Sequence, residues 1–97
     1  MINREQVLNT LRELKPELET RYKVKTMSLF GSVARNEQMP TSDVDVLVDF
    51  DESANLFDLS GLGLFLEEQL NCQVDIIPRR ALREEIRETV LREAVAI

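Results

Sequence analysis

Histidine occurs nowhere in the 97 residues. Its absence excludes Ser-His-Asp and Cys-His nucleophile schemes in their usual form, and with them imidazole-based zinc sites. Cysteine is nearly as scarce. Cys72 stands alone, so no internal disulfide can form, which suits a reducing cytoplasm. No apolar run approaches the ~20 residues that a membrane span requires, and Met1-Ile2-Asn3 leads straight into a polar, helix-like pattern rather than a signal peptide. Basic side chains are outnumbered, 12 against 18 acidic ones, for a formal charge of -6. Loose binding to a nucleic-acid backbone depends on many Lys and Arg contacts, so a polynucleotide partner is disfavoured, whereas a single metal-chelated nucleotide is not. Chemistry in this chain must rest on carboxylates, metal and backbone.

The hydrophobic fraction of 43% fits one soluble globular domain spanning residues 1–97. Asn3, with Gln6 three positions on, reads as a helix cap, and Val7, Leu8, Leu11 and Leu14 follow at helical spacing. Pro16 is poorly tolerated inside a helix, so the pattern predicts a separate short turn from Pro16 to Tyr22. Alternation from Val24 to Phe30 predicts a first strand, and the Val- and Leu-dense Val44 to Phe50 a second, largely buried one. Ser32 to Asn36 reads as a helix turn, and Glu37 to Thr41 as a loop. Asn55 caps a helix carrying Leu56, Leu59, Leu62, Phe65, Leu66 and Leu70, weakened by Gly61 and Gly63. Cys72 to Ile77 makes a third strand, stopped by Pro78, and Ala81 to Ala94 closes the chain as a helix. The fold class expected is α/β (α+β): a small mixed sheet of three to four strands with helices packed against it.

Two stretches carry the chemistry: Phe30-Gly31-Ser32-Val33-Ala34-Arg35 and Ser42-Asp43-Val44-Asp45-Val46-Leu47-Val48. Residues two apart on a strand share a face, with Cα atoms roughly 6.6 Å apart, so Asp43 and Asp45 project side by side. Adjacent carboxylates repel and raise each other's pKa unless a cation neutralises them, and hard divalent ions such as Mg²⁺ are suited to oxygen ligands. Gly31 lets backbone approach a ligand, and Ser32 adds a hydroxyl where the N–H groups of a helix start point outward toward an anion. Asp75, mid-strand between core residues, is the natural third carboxylate, as ligand or as general base. Arg35 can reach a phosphate or pair with Glu37. Asp49 shares the alternation but lies farther along and is read as facing solvent. Cys72 has nothing nearby to lower its pKa.

The order Gly-Ser, then Asp-x-Asp, then a lone strand Asp resembles the DNA polymerase β-type nucleotidyltransferase superfamily. More narrowly, the two stretches look like the minimal nucleotidyltransferase (MNT) family, over nearly the whole chain. That resemblance implies metal ligation and catalysis by Asp43, Asp45 and Asp75, triphosphate contact at Gly31 and Ser32, one or two Mg²⁺ ions, and ATP as substrate. It further implies a HEPN-family toxin as partner in a hetero-oligomer, neutralised in some relatives by transfer of AMP onto a tyrosine. Where the family often has Gly after Ala-Arg, this chain has Asn36, which tolerates a left-handed turn. Two further readings stand beside transfer to protein: neutralisation by binding alone, through apolar residues of the last helix, and transfer to a small hydroxylated molecule.

Overall fold

The computed structural model describes residues 3–37 and 43–97, so most of the Glu37–Thr41 loop expected from sequence lies outside the described residues. Helix α1 (Arg4–Arg21) leads into strand β1 (Val24–Phe30) and a single-turn helix α2 (Gly31–Ala34). Strand β2 (Val44–Phe50), helix α3 (Leu56–Leu70) and strand β3 (Val74–Pro78) follow. A 3₁₀ turn at Arg79–Ala81, helix α4 (Glu84–Glu93) and a two-residue strand β4 (Val95–Ala96) complete the chain. The sheet order is β3-β2-β1-β4, with β2 parallel to β3 and β1 antiparallel to both β2 and β4. It is a four-stranded mixed sheet with helices packed on it, as the sequence led us to expect.

Strand alternation divides the sheet into two unlike faces. One carries Val44, Val46, Val48, Met27, Leu29 and Val74, all buried in one core with Leu11 and Leu18 of α1 and Leu62 and Leu66 of α3. Fully burying one such side chain contributes about 1.5–3 kcal/mol, so this two-helix layer dominates the fold's stability. The opposite face carries Asp43, Asp45 and Asp75, together with a small apolar plug of Leu47, which is buried. A solvated apolar-poor face and a buried apolar face on one sheet leave the carboxylates free to do chemistry without holding the fold together.

Two expectations need correction. Pro16 lies inside a continuous α1 rather than opening a second turn. The bond that Pro16 cannot give, to the Arg12 carbonyl, falls between two exposed residues, where water can take its place. Leu11 and Leu18, both essentially buried, hold the helix to the core on either side of the proline. The chain end also differs from a helix over Ala81–Ala94. The helix begins only at Glu84, and Val95–Ala96 adds to the sheet by pairing with Leu29 and Ser28. Two strand residues are too few for a period-2 pattern to register.

Local chemistry elsewhere follows the residues. Asn3 accepts a hydrogen bond from the Gln6 N–H at 2.9 Å. Asn55 accepts from Phe57 and Asp58, while Asp58 accepts from the Asn55 N–H, a reciprocal capping box that lets α3 run unbroken through Gly61 and Gly63. Asn36 adopts φ 59°, the left-handed turn for which asparagine is suited. The outer flank of β3 is partly closed: Glu67 Oε2 accepts from the Val74 N–H at 3.2 Å, and Pro78 has no N–H to offer.

Candidate functional site

The two sheet pairings bring the key residues together. In the antiparallel β1–β2 register Phe30 lies opposite Asp45, so the chain turns into α2 directly beside that carboxylate. In the parallel β2–β3 register Asp45 lies opposite Asp75. Asp43, two residues before Asp45, projects to the same face. Three carboxylates from two adjacent strands therefore share one side of the sheet.

Gly31 is the pivot. Its φ is +80°, a backbone conformation that L side chains rarely adopt, and a Cβ built there would overlap Asp45 Oδ2. Only glycine allows the α2 turn to back onto the carboxylate this closely. Phe30 supplies no side-chain cap to α2, so no side chain of the cap position takes up the outward N–H groups at that turn. Ser32 sits half-buried immediately after, with its carbonyl accepting from Glu37 at 2.8 Å.

The electrostatics are those of crowded like charges. Burial, then the carboxylates of Asp75 and Asp43, push the Asp45 carboxyl above its ordinary value, and Arg35 pulls weakly the other way. Among the described residues no three acidic or thiol groups close into a ready-made ligand cage. The sheet aligns the trio, and ligand closure around an ion needs side-chain adjustment. An all-oxygen set on one face, with its middle member penalised for being charged, nevertheless fits a hard divalent cation such as Mg²⁺.

Asp75 differs from its sequence expectation in burial. It is exposed rather than set among core side chains, because β3 is the outermost strand and Asp75 points to the carboxylate face. No ion pair to Arg79 or Arg80 forms among the described residues. Arg35 is exposed and pairs with Glu37 at 3.2 Å and with Glu93 at 3.5 Å. Those pairs, the one with Glu37 foremost, hold its guanidinium more firmly charged. Glu93 escaped the sequence reading. It is 58 residues from Arg35 in sequence, and only the packing of α4 against α2 joins them.

Asp49 lies on the carboxylate face but four residues beyond Asp45, roughly 13 Å along the strand. It is half-buried rather than plainly facing solvent, and it lines a cavity of about 170 Å³ with Leu56, Leu59, Arg79 and Arg80. That cavity sits at the far end of β2, away from Asp43 and Asp45, and we separate it from the carboxylate site. Cys72 is half-buried, and burial followed by Asp43 and Glu67 pushes its thiol up, so it is a poor nucleophile.

Known proteins share this fold. A family profile described as a nucleotidyltransferase domain matches residues 11–97. The protein adenylyltransferase MntA of Thermococcus cleftensis is 38% identical over 97 residues, covering 100% of this chain and 98% of that one. A Methanocaldococcus jannaschii protein carrying the provisional name protein adenylyltransferase MJ0126 is 42% identical over 77 residues, 79% of each chain. A solved structure provisionally described as a minimal nucleotidyltransferase superimposes with TM-score 0.85 at 41% identity, covering 99% of this chain and 97% of that one. A chain of a toxin–antitoxin crystal structure with AMP-PNP shares the fold at TM-score 0.69 and 22% identity, over 98% of this chain and 72% of that one. No described helix is long and apolar enough to cross a membrane.

Proposed function

Since the chain belongs to the nucleotidyltransferase domain family, we propose that it transfers AMP from ATP to a hydroxyl of a partner protein. The observation that carries this reading is the register of β1, β2 and β3, which puts Gly31 against Asp45 and Asp45 opposite Asp75. In this reading Gly31 and Ser32 bind the β- and γ-phosphates through backbone N–H groups and the serine hydroxyl. Asp43 and Asp45 face the α-phosphate, and Asp75, exposed on the outer strand, accepts the proton of an incoming hydroxyl. The hydroxyl oxygen forms a bond to the α-phosphorus while the bond to pyrophosphate breaks. One or two Mg²⁺ ions held by Asp43, Asp45 and Asp75 would supply charge neutralisation of the triphosphate.

The acceptor we assign is a protein, because the described residues form one sheet with its helices and no second module to hold an acceptor. Relatives at 38–42% identity named protein adenylyltransferases support that class. We extend this reading to an antitoxin acting on a tyrosine of a HEPN-family toxin; a toxin–antitoxin structure with AMP-PNP that shares the fold supports the antitoxin role. A second reading, neutralisation by binding alone, draws on α4. None of its residues is buried, and Ile86 and Leu91 are 48% and 37% exposed.

Label transfer from α-labelled and, separately, γ-labelled ATP with Mg²⁺, in the presence of the protein encoded beside this one, distinguishes the two. Transfer of the α-label alone, abolished by Asp43→Asn, is the outcome expected for nucleotidyl transfer. A stable complex with no transfer of either label would move the assignment to binding alone.

A further inference from the structure

Helix α4 stops one residue short of the sheet. Ala94 leaves the helix for an extended conformation, φ −66° and ψ 139°, with its N–H still donated to the Val90 carbonyl. Val95 then pairs with Leu29 of β1, two residues before Gly31, the turn that backs onto Asp45. Glu93, the last helical residue, is thereby tied to the strand that delivers the site, and α4 packs against α2.

Its carboxylate meets Arg35. Glu93 Oε2 accepts from Arg35 Nη1 at 3.5 Å, and Glu37 Oε2 accepts from Arg35 Nε at 3.2 Å. The two acceptors differ in their attachment. Glu37 lies two residues from Arg35 and moves with it, so it cannot fix the guanidinium relative to the sheet. Glu93 lies 58 residues away and is anchored through β4. The Arg35 backbone N–H donates to the Gly31 carbonyl at 3.1 Å, which sets this side chain one turn beyond the glycine. Its charge is felt at the carboxylates: burial, then Asp75 and Asp43, push the Asp45 carboxyl up, and Arg35 opposes them. A guanidinium carries five N–H donors, and each carboxylate takes one, so the pair orients Arg35 without saturating it.

We propose that Glu93 is a positioning residue for the nucleotide, holding Arg35 from the α4 side so that its guanidinium meets a phosphate oxygen of the triphosphate. The inference rests on the reading of Gly31 and Ser32 as the triphosphate turn. Holding a long, exposed arginine costs rotamer entropy, and a contact made before the ligand arrives removes that cost from binding. Strand β4 then has a role beyond pairing an edge: it sets the position of Glu93.

The sign of the effect is diagnostic. Loss of a negative charge beside an anionic ligand favours binding by itself, so a Glu93→Gln chain that binds ATP more weakly does so through Arg35. The test is calorimetric titration of Mg-ATP onto the chain, with KM for ATP and kcat of α-label transfer measured in parallel. Glu93→Gln raises Kd and KM about two- to fivefold, the range an exposed pair supplies, and moves kcat by less than about twofold. In an Arg35→Ala background the same substitution leaves Kd unchanged. Glu88→Gln, which removes an equal charge from α4 at its pair with Arg92, leaves Kd at the wild-type value. Circular dichroism stays that of the wild type throughout, since the Arg35 and Glu93 side chains are exposed. A wild-type chain that binds ATP while Glu93→Gln binds it equally or more tightly overturns the proposal alone, as does an equal loss in the Arg35→Ala background. A wild-type chain that binds no Mg-ATP overturns the triphosphate reading itself, and this inference with it.

Discussion

A methyl group placed on Gly31 tests whether the α2 turn and Asp45 act as one unit. In Gly31→Ala the new Cβ overlaps Asp45 Oδ2 and lies 3.1 Å from Cγ and 3.3 Å from Cβ of that residue. A carbon–oxygen contact settles near ~3.3–3.6 Å, so the carboxylate must withdraw by about 1 Å. The backbone at φ +80° adds a left-handed penalty of about 1–2 kcal/mol for alanine. Loss of glycine's freedom in the unfolded chain returns about 0.4–1 kcal/mol of it. The net destabilisation is about 1 kcal/mol, which lowers the melting temperature by about 4–8 °C in a domain of this size. Transfer falls much further, because a displacement of about 1 Å at a reacting centre costs ~10²-fold. The assay is initial rate of α-label transfer at 25 °C, where the variant remains folded, paired with a thermal melt. A variant that melts lower yet transfers at the wild-type rate would refute the coupling. So would a rate loss no larger than the unfolded fraction accounts for.

Other substitutions separate fold from chemistry. Gly63→Ala meets only Ile76 Cγ1 at an ordinary 3.7 Å, so helix propensity should stabilise the chain by about 0.5–1 kcal/mol in denaturant titration. Asp45→Asn should raise the melting temperature at neutral pH while abolishing transfer. The Asp45 carboxyl is held above its ordinary value, so its ionised form penalises the fold once pH exceeds the folded pKa. That gain should vanish near about pH 3, below the unfolded carboxylate pKa, where both states are protonated. Arg35→Ala should leave stability within about 0.5 kcal/mol, since its pairs with Glu37 and Glu93 are exposed. A raised ATP requirement in the same variant would mark Arg35 as a phosphate contact.

Both long strands were legible in the sequence to the residue, because Val24–Phe30 and Val44–Phe50 carry their burial in the pattern of apolar positions. The cap at Asn55 was legible for a local reason, a side chain three residues from its partner. What escaped depended on distance along the chain. Pro16 looked like a break because its local cost is visible and the hold of Leu18 on the core is not. Strand β4 exists only because β1 leaves an edge for it, and Glu93 meets Arg35 only once α4 is packed. At the site, Asp43 and Asp45 shared a face by parity alone, but the facing of Asp45 and Asp75 needed a parallel register that no spacing reveals.

The flank of β3 has a bearing on behaviour at high concentration. An outermost strand that must keep Asp75 open cannot be covered, and an uncovered strand invites other chains to add to it. By alternation the backbone N–H positions of Val74, Ile76 and Pro78 lie along that flank. The Val74 N–H already goes to Glu67 and Pro78 has none, which leaves Ile76 alone to offer one. The strand is thereby left accessible to a side-chain hydroxyl but a poor template for another backbone. Glu67→Ala should accordingly make this protein more prone to form fibres on storage than its small loss of melting temperature accounts for, a liability that active-site assays would never reveal.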